Sequence, residues 1–321
     1  MTDKELYREL CAKEPTIPLY SMDWWLDCVC GENKWDVLLY RNKERIESAM
    51  PFYSPLKNVI TMPAYTQTMG IWFNPESENP KYSENLYRKQ QICSYFIERL
   101  PAHSFFLQNF HSSFTDWLPF YWKGFKQTTR YNYVLTDVKD SKEIEKKRNN
   151  NIRQNIKKAH TKYKIEIKNQ ISADLFLKIY AKSFERQGEK SYKPEILRRL
   201  IETTYLRNQG DIWGAFDQSG QLHAAVFVVW QGNCAYYIAG GSDEMGRKSG
   251  GQILSMSEAI KAVSSVCESF DFEGSMMPGV ERVFRSFGAI QKPYFTISKG
   301  NRPWIRTAIE VLRNYLTIHS K

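Results

Sequence analysis

The chain has 321 residues, 42% of them hydrophobic and 25% charged, and its 45 Lys and Arg against 35 Asp and Glu leave a net charge of +10. That composition excludes fibrous, collagen-like, mucin-like and disordered classes, and the length suits about two domains. The basic excess favours anionic partners such as phosphates, coenzymes, nucleotides or RNA without choosing among them. The longest apolar stretch, 224–230, falls far short of the ~18–20 residues that span a bilayer. The charged first ten residues lack an apolar signal core. Six cysteines and five histidines form neither a dense disulfide framework nor a metal-ligand spacing, and Cys28 and Cys30 stand as a lone pair. The cysteines are read as reduced, the chain as cytoplasmic, and no metal is expected.

In chain order, 35–40, 45–53 and 59–65 read as strands. A helix over 84–100 carries Leu86, Ile92, Tyr95 and Phe96. A strand at 105–110, a short helix near 115–121 and a strand at 131–135 complete the first half. Residues 146–168 then hold nine Lys and Arg against the single acid Glu166. Ile152, Ile156, Ala159 and Tyr163 share one helical face, while Lys146, Arg153, Lys157, His160 and Lys164 cluster within about 60° on another. A solvated helix and a docking surface for phosphate groups both satisfy this pattern.

The second half continues with a strand at 165–170 and helices at 173–187 and 194–207. Three strands at 211–217, 221–231 and 233–240 are joined by the turns Gln218-Ser219-Gly220 and Gln231-Gly232-Asn233. A helix bearing Ile253, Met256, Ile260, Val263 and Cys267 on one face follows. After it come a strand at 270–273, a short helix near 279–287 and a strand at 294–298. A last helix opens at Pro303 with Ile305, Ile309, Leu312 and Leu316 on its apolar side. Hairpin-linked strands before a crossover helix argue for an α/β fold with a mixed sheet, of α+β character.

The two halves resemble each other. Phe120-x-x-x-Gly124 recurs 164 residues on as Phe284-x-x-x-Gly288, and Phe110-His111-Ser112-Ser113 faces Phe272-Glu273-Gly274-Ser275. An internal duplication implies two copies of one fold, divided at 1–135 and 136–321.

The most specific local feature is the glycine-rich turn at 239–252, AGGSDEMGRKSGGQ, between a buried strand and the apolar-faced helix. Glycines let a backbone approach a ligand closely, and a helix N-terminus offers unpaired N–H groups to a pyrophosphate. One reading is a nucleotide-triphosphatase phosphate loop, Gly241-x-x-x-x-Gly246-Arg247-Lys248-Ser249, in which one insertion displaces the lysine. Another is the Arg-x-x-Gly-x-Gly/Ala coenzyme A loop of GNAT acyltransferases. Arg247-Lys248-Ser249-Gly250-Gly251-Gln252 follows it through the first glycine, and Gln252 stands where a small residue is expected. A purely structural glycine turn is the third.

Combined stretches, rather than any one motif, identify a family. The runs RQNIKKA at 153–159, YYIAGGSDE at 236–244, FDFEGS at 270–275, GVERVFRSFGA at 279–289 and PYF at 293–295, with QTMGIW at 67–72, resemble the Fem-type branch of the GNAT superfamily. The resemblance implies two tandem GNAT-like domains and N-acyl transfer from acyl-CoA (acetyl-CoA) to an amine. Aminoacyl-tRNA is an alternative donor, as in peptidoglycan precursor synthesis. It implies that the strands at 233–240 and 270–273 splay to admit the donor, with Gly240, Gly241, Arg247, Lys248, Gly250 and Gly251 binding the cofactor. The first half, lacking a glycine-rich loop at 65–75, is expected to be a degenerate copy that shapes the acceptor site.

Acyl transfer to an amine needs a proton acceptor and donors for the developing oxyanion. Asp271 and Glu273 lie two apart on a strand, hence on one face, and buried carboxylates cost energy unless paired. Glu273, with Asp271 second, is the candidate base or amine-binding group; an ion pair is the structural alternative. Tyr237 is a candidate proton donor to a leaving group, or a packing residue. Arg153, Lys157 and Lys299 are candidates for an anionic, nucleotide-linked acceptor or tRNA. A non-catalytic RNA-binding or scaffold protein on a decayed fold is the opposing reading.

Overall fold

A reciprocal pair of hydrogen bonds between Thr2 and Glu5, a capping box, starts the first helix. The computed structural model describes residues 1–43, 45–78, 81–185, 190–274, 276 and 278–300. The helix expected from Pro303 lies outside the described residues. In chain order come α1 (Asp3–Lys13), α2 (Asp23–Cys30), β1 (Trp35–Asn42), β2 (Arg45–Leu56), β3 (Val59–Thr61), β4 (Trp72–Phe73), α3 (Tyr82–Arg99), β5 (Phe105–Phe110), α4 (Leu118–Trp122) and β6 (Lys126–Thr136). There follow α5 (Ser141–Lys147), α6 (Asn150–Thr161), β7 (Glu166–Lys168), α7 (Ala173–Glu185), α8 (Pro194–Arg207), β8 (Gly210–Phe216), β9 (Leu222–Gln231), β10 (Cys234–Ser242), α9 (Glu244–Ser249), α10 (Gly251–Val263), β11 (Ser269–Asp271), α11 (Pro278–Ser286) and β12 (Ile290–Gly300).

The chain forms two compact units, one from Met1–Arg130 with the return from Pro293, the other from Tyr131–Lys292. In the first unit the strand order is β1-β2-β3-β5-β12, with β4 beside β2. Its pairs are antiparallel except β3 with β5. Its core gathers phenylalanines: Phe106, Phe110 and Phe120 are sealed from solvent and pack with Phe114 and Phe125. The rings meet at centroid distances of 4.6 to 6.5 Å, within the range of favourable aromatic pairs.

In the second unit the order is β6-β11-β10-β9-β8-β7, and here β10 with β11 is the parallel pair. α10 lays Met256, Ala259, Ile260 and Val263 onto a core with Val226, Val228, Phe270, Phe272 and Phe284. The repeat in sequence is visible in both units. Gly124 and Gly288 each end a short helix at positive φ, +77° and +92°, and a long strand follows each. A Cβ on Gly288 would lie 2.4 Å from that of Lys147, so only glycine fits. Those long strands are exchanged. β12 completes the sheet beside β5, and β6 completes the sheet beside β11.

Sequence periodicity finds most of the strands and the helices α3, α6, α7, α8, α10 and α11. It misses α1, α2, α5 and α9. α1 buries only Tyr7 and Cys11, too few for a periodic stripe. No described helix is long and apolar enough to cross a membrane.

Residue 135 falls inside β6, and Val134–Thr136 pair with Asp271–Ser269. A fragment of 136–321 therefore exposes the edge of β11, and the expected result is loss of a cooperative melt. A fragment that melts as sharply as the full chain contradicts this strand exchange.

Candidate active site

The parallel ladder of β10 and β11 has only three steps, Cys234 to Ser269, Ala235 to Phe270 and Tyr236 to Asp271. Beyond it the strands part. β10 runs on to Ser242 paired with β9 alone, through a bulge between Tyr237 and Ala239. Bulges re-aim side chains and are frequent beside active sites. Phe272 and Glu273 instead follow β6: the Phe272 amide donates to the Tyr133 carbonyl, and the Tyr133 amide donates to the Glu273 carbonyl.

In the first unit the equivalent opening is filled. β3 and β5 pair through Ile60 and Phe106, after which Met69 bridges to Phe110. The Met69 amide donates to the Asn109 carbonyl at 2.6 Å, and the His111 amide donates to the Met69 carbonyl at 3.0 Å. Gly70 makes this possible, since a Cβ there would meet the Phe110 ring at 2.6 Å.

Glu273 stands where the second unit's strands separate. Its backbone is left-handed, φ +62°, a strained conformation for a residue other than glycine. Its amide donates to Asp271 Oδ1 at 2.7 Å, and Asn132 Nδ2 donates to Asp271 Oδ2 at 2.9 Å. Both oxygens of Asp271 thus hold the turn, which makes Asp271 a positioning group. The Glu273 side chain has no such role. Its Oε1 is sealed from solvent with no hydrogen-bond partner among the described residues. Burial alone pushes its pKa well above the usual carboxylate range. Burial also lifts Asp271 to about 6, against the opposing hydrogen bonds from Glu273 and Asn132. Neither carboxylate forms an ion pair among the described residues, so the structural alternative for them is not met.

Tyr237 is half-buried, with its ring edge-on to Phe284 at 6.3 Å and Phe284 stacked on Phe272 at 5.1 Å. Burial raises its hydroxyl to about 12, and the hydrogen bond from Gln252 works the other way. Gln252 Oε1 accepts from Ser242 Oγ at 3.1 Å, which leaves its NH₂ end to the tyrosine. Tyr236, by contrast, is buried, and its hydroxyl is raised well above 10.

The glycine-rich turn contains a short helix. Asp243 caps it through its Oδ1 and the Gly246 amide, and α9 fills the space. Gly240 and Gly241 belong to β10, paired with Val226 and Ala225. A Cβ on Gly240 would lie 2.3 Å from the Tyr237 hydroxyl, and one on Gly241 2.5 Å from the backbone of α7. Gly246 lies against the His223 carbonyl, and Gly250, at φ +82°, against the Asn155 carbonyl. The Gly251 amide donates to Ser249 Oγ at 3.2 Å. These glycines admit neighbouring parts of the chain. Arg247 donates to the Ser242 carbonyl at 3.0 Å, and Lys248 is exposed.

The remaining candidates are not gathered here. Arg153 donates to the carbonyls of Glu145 and Lys146, fastening the end of α5. Lys157 is exposed on α6. Lys299 lies in the first unit, donating to the Lys123 carbonyl at 2.7 Å and standing 4.8 Å over the Phe125 ring.

Sequence reasoning missed His223. Its Nδ1 lies 2.8 Å from Asp243 Oδ2 and its Nε2 3.1 Å from Asp217 Oδ2, so it ties the β8–β9 turn to the cap of α9. Burial opposes its charge, but the two carboxylates outweigh burial and raise its pKa. Ser219, Gln221 and His223 hold Asp217 well below the usual range. No motif joins residues at 217, 223 and 243; only a short hairpin beside a capped helix does.

Raised pKa values at Glu273, Asp271 and His223 all mean that the folded chain binds protons the unfolded chain has released. Stability therefore falls as pH rises above about 4, with Asp271, lifted to about 6, alone contributing on the order of 2–3 kcal/mol. Glu273→Gln removes one of these penalties. Urea unfolding should show the variant more stable than wild type at pH 8 and closer to it at pH 4.5; equal stability at pH 8 would contradict the burial argument.

The family model described as Acetyltransferase (GNAT) domain matches residues 146–282. No curated protein matches the sequence. FemX is similar in fold with a TM-score of 0.67 at 10% identity, covering 92% of this chain and 96% of that one. The C-terminal domain of a putative lysylphosphatidylglycerol synthetase from Agrobacterium fabrum gives 0.57 at 8% identity, covering 97% and 96%. A tandem GNAT protein from the clavulanic acid biosynthesis pathway gives 0.51 at 11% identity, covering 94% and 97%. Residues 146–282 thus match a GNAT acetyltransferase domain, and over nearly its whole length the mixed α/β chain is similar in fold to FemX and to a tandem GNAT protein.

Proposed function

We propose that the chain transfers an acyl group from an activated donor, lying in the opening between β10 and β11, to an amine, with Glu273 relaying the protons. The observation that carries this reading is the unpartnered, sealed Glu273 oxygen where the strands part. A carboxyl with a raised pKa begins in its acid form. A neutral amine attacks the carbonyl carbon, and its electron pair forms the C–N bond. As the tetrahedral adduct collapses, Glu273 gives its proton to the departing sulfur or oxygen. The carboxylate then takes the proton on nitrogen, which restores the acid and balances the step. Tyr237, neutral because burial raises its hydroxyl to about 12, would donate to the developing oxyanion. Asp271 holds the turn that presents Glu273.

For an acyl-CoA donor, the pantetheine arm would run along the unpaired side of β10. The pyrophosphate would fall to Arg247 and Lys248, because the amides of Gly246, Gly250 and Gly251 are bonded to Asp243, Arg247 and Ser249. That same filled turn favours a second reading, an aminoacyl ester of tRNA, whose recognition needs no pyrophosphate cradle on α10. The exposed Lys157 on α6 and the surrounding basic run suit either a tRNA backbone or an anionic, nucleotide-linked acceptor. The filled opening in the first unit supports a non-catalytic role for residues 1–135.

Single-turnover assays with labelled acetyl-CoA, longer acyl-CoAs and aminoacyl-tRNA, each with a panel of amines, test both donors. Transfer from at least one donor is expected, and Glu273→Gln should slow it by about 10²-fold or more. Transfer unaffected by Glu273→Gln removes the proton relay. Failure of every donor removes the acyl-transfer reading.

A further inference from the structure

α4 is five residues long, and one side of it is built for the interior. Pro119 and Phe120 are buried in the phenylalanine core of the first unit. Its other side carries Leu118, Tyr121 and Trp122, related as i, i+3 and i+4 and therefore on one face. These three are 43%, 60% and 60% exposed. Trp117 buttresses them, its ring edge-on to Tyr121 at 5.5 Å. Single exposed hydrophobic residues need no explanation, but three large ones on one helical turn form a patch.

Charge surrounds this patch. Lys123 follows directly and is exposed, and Lys126, the first residue of β6, is exposed. The Lys299 ammonium is brought to the same corner by its hydrogen bond to the Lys123 carbonyl. Glu98, near the end of α3, pairs with Lys123 at 3.2 Å, while the neighbouring Arg99 lies over the Tyr95 ring. Three lysines, Lys123, Lys126 and Lys299, thus accompany the patch against two carboxylates, Glu98 and the half-buried Asp116. Asp116 is spent on Gln90 and the Leu118 amide.

We propose that this face docks on the surface of a bilayer bearing anionic headgroups. Trp and Tyr are favoured at the depth of lipid headgroups, where an apolar ring and a polar edge are both satisfied. Leu118 reaches the upper acyl region, and the lysines lie over their apolar stems with ammonium groups at the phosphates. A single-stranded RNA would use the aromatic rings and the cations but has no use for Leu118, and the edge-on Trp117 and Tyr121 pair does not present a flat stacking platform. The inference is independent of the acyl-transfer reading.

The test is co-sedimentation of the full chain with vesicles of phosphatidylcholine alone and of equal parts phosphatidylcholine and phosphatidylglycerol. Binding is expected only to the anionic vesicles and should weaken with salt. Tyr121→Ser with Trp122→Ser should lower the partition by about tenfold or more, with an unchanged melting temperature because both side chains are exposed. Lys126→Glu should weaken binding severalfold. No binding of wild type to anionic vesicles at low salt overturns the proposal, as does a double variant that binds equally well. If vesicles fail and the double substitution instead abolishes binding of a single-stranded RNA, or self-association seen in sedimentation, the face belongs to that other occupant and the proposal is wrong.

Discussion

The structure of the second unit turns on where one parallel ladder stops. β10 and β11 share three residue pairs, and then each strand follows its other neighbour. Zipping the strands further would satisfy backbone hydrogen bonds, so the early end needs an opposing cause. The bulge in β10 diverts one strand, and the left-handed turn at Glu273 diverts the other. The Asp271 carboxylate and Asn132 hold that turn in place. Two local devices, each costly alone, keep open a place where main chain and a buried acid meet. The first unit has a similar strand arrangement without the left-handed turn, and Met69 closes its opening.

The exchange of β6 and β12 gives the duplication a physical meaning. Each repeat supplies the last strand of the other unit's sheet, so neither repeat is complete alone. The strain at Glu273 can then be carried by the whole unit, because Tyr133 on β6 bonds to both sides of the turn. A carboxyl lifted in pKa by burial is unfavourable for folding and useful for moving protons, and both consequences have the same source.

Most of the element order was legible in the sequence because long apolar runs such as β9, and faces such as that of α10, announce themselves by period. The pairing of Phe120 and Gly124 with Phe284 and Gly288 exposed the duplication. It did not expose the exchange, since a strand's partner is not encoded in its own pattern. The carboxylates at 271 and 273 were visible as charges interrupting an apolar strand, but their unequal roles depend on the turn geometry. The glycine-rich turn carried a signal open to more than one reading. Close approach was correctly inferred from its glycines, yet the approaching groups are the carbonyls of His223 and Asn155 and the backbone of α7. His223, Asp217 and Asp243 were invisible because their spacing matches no motif.

Residue-resolved amide exchange across Tyr237–Gly241 tests the central claim most directly. With the strands parted, the amides of this segment on the side away from β9 should exchange rapidly in the free protein and slow when an acyl donor is added. Uniform strong protection of the whole segment in the free protein, unchanged by any donor, would contradict the account.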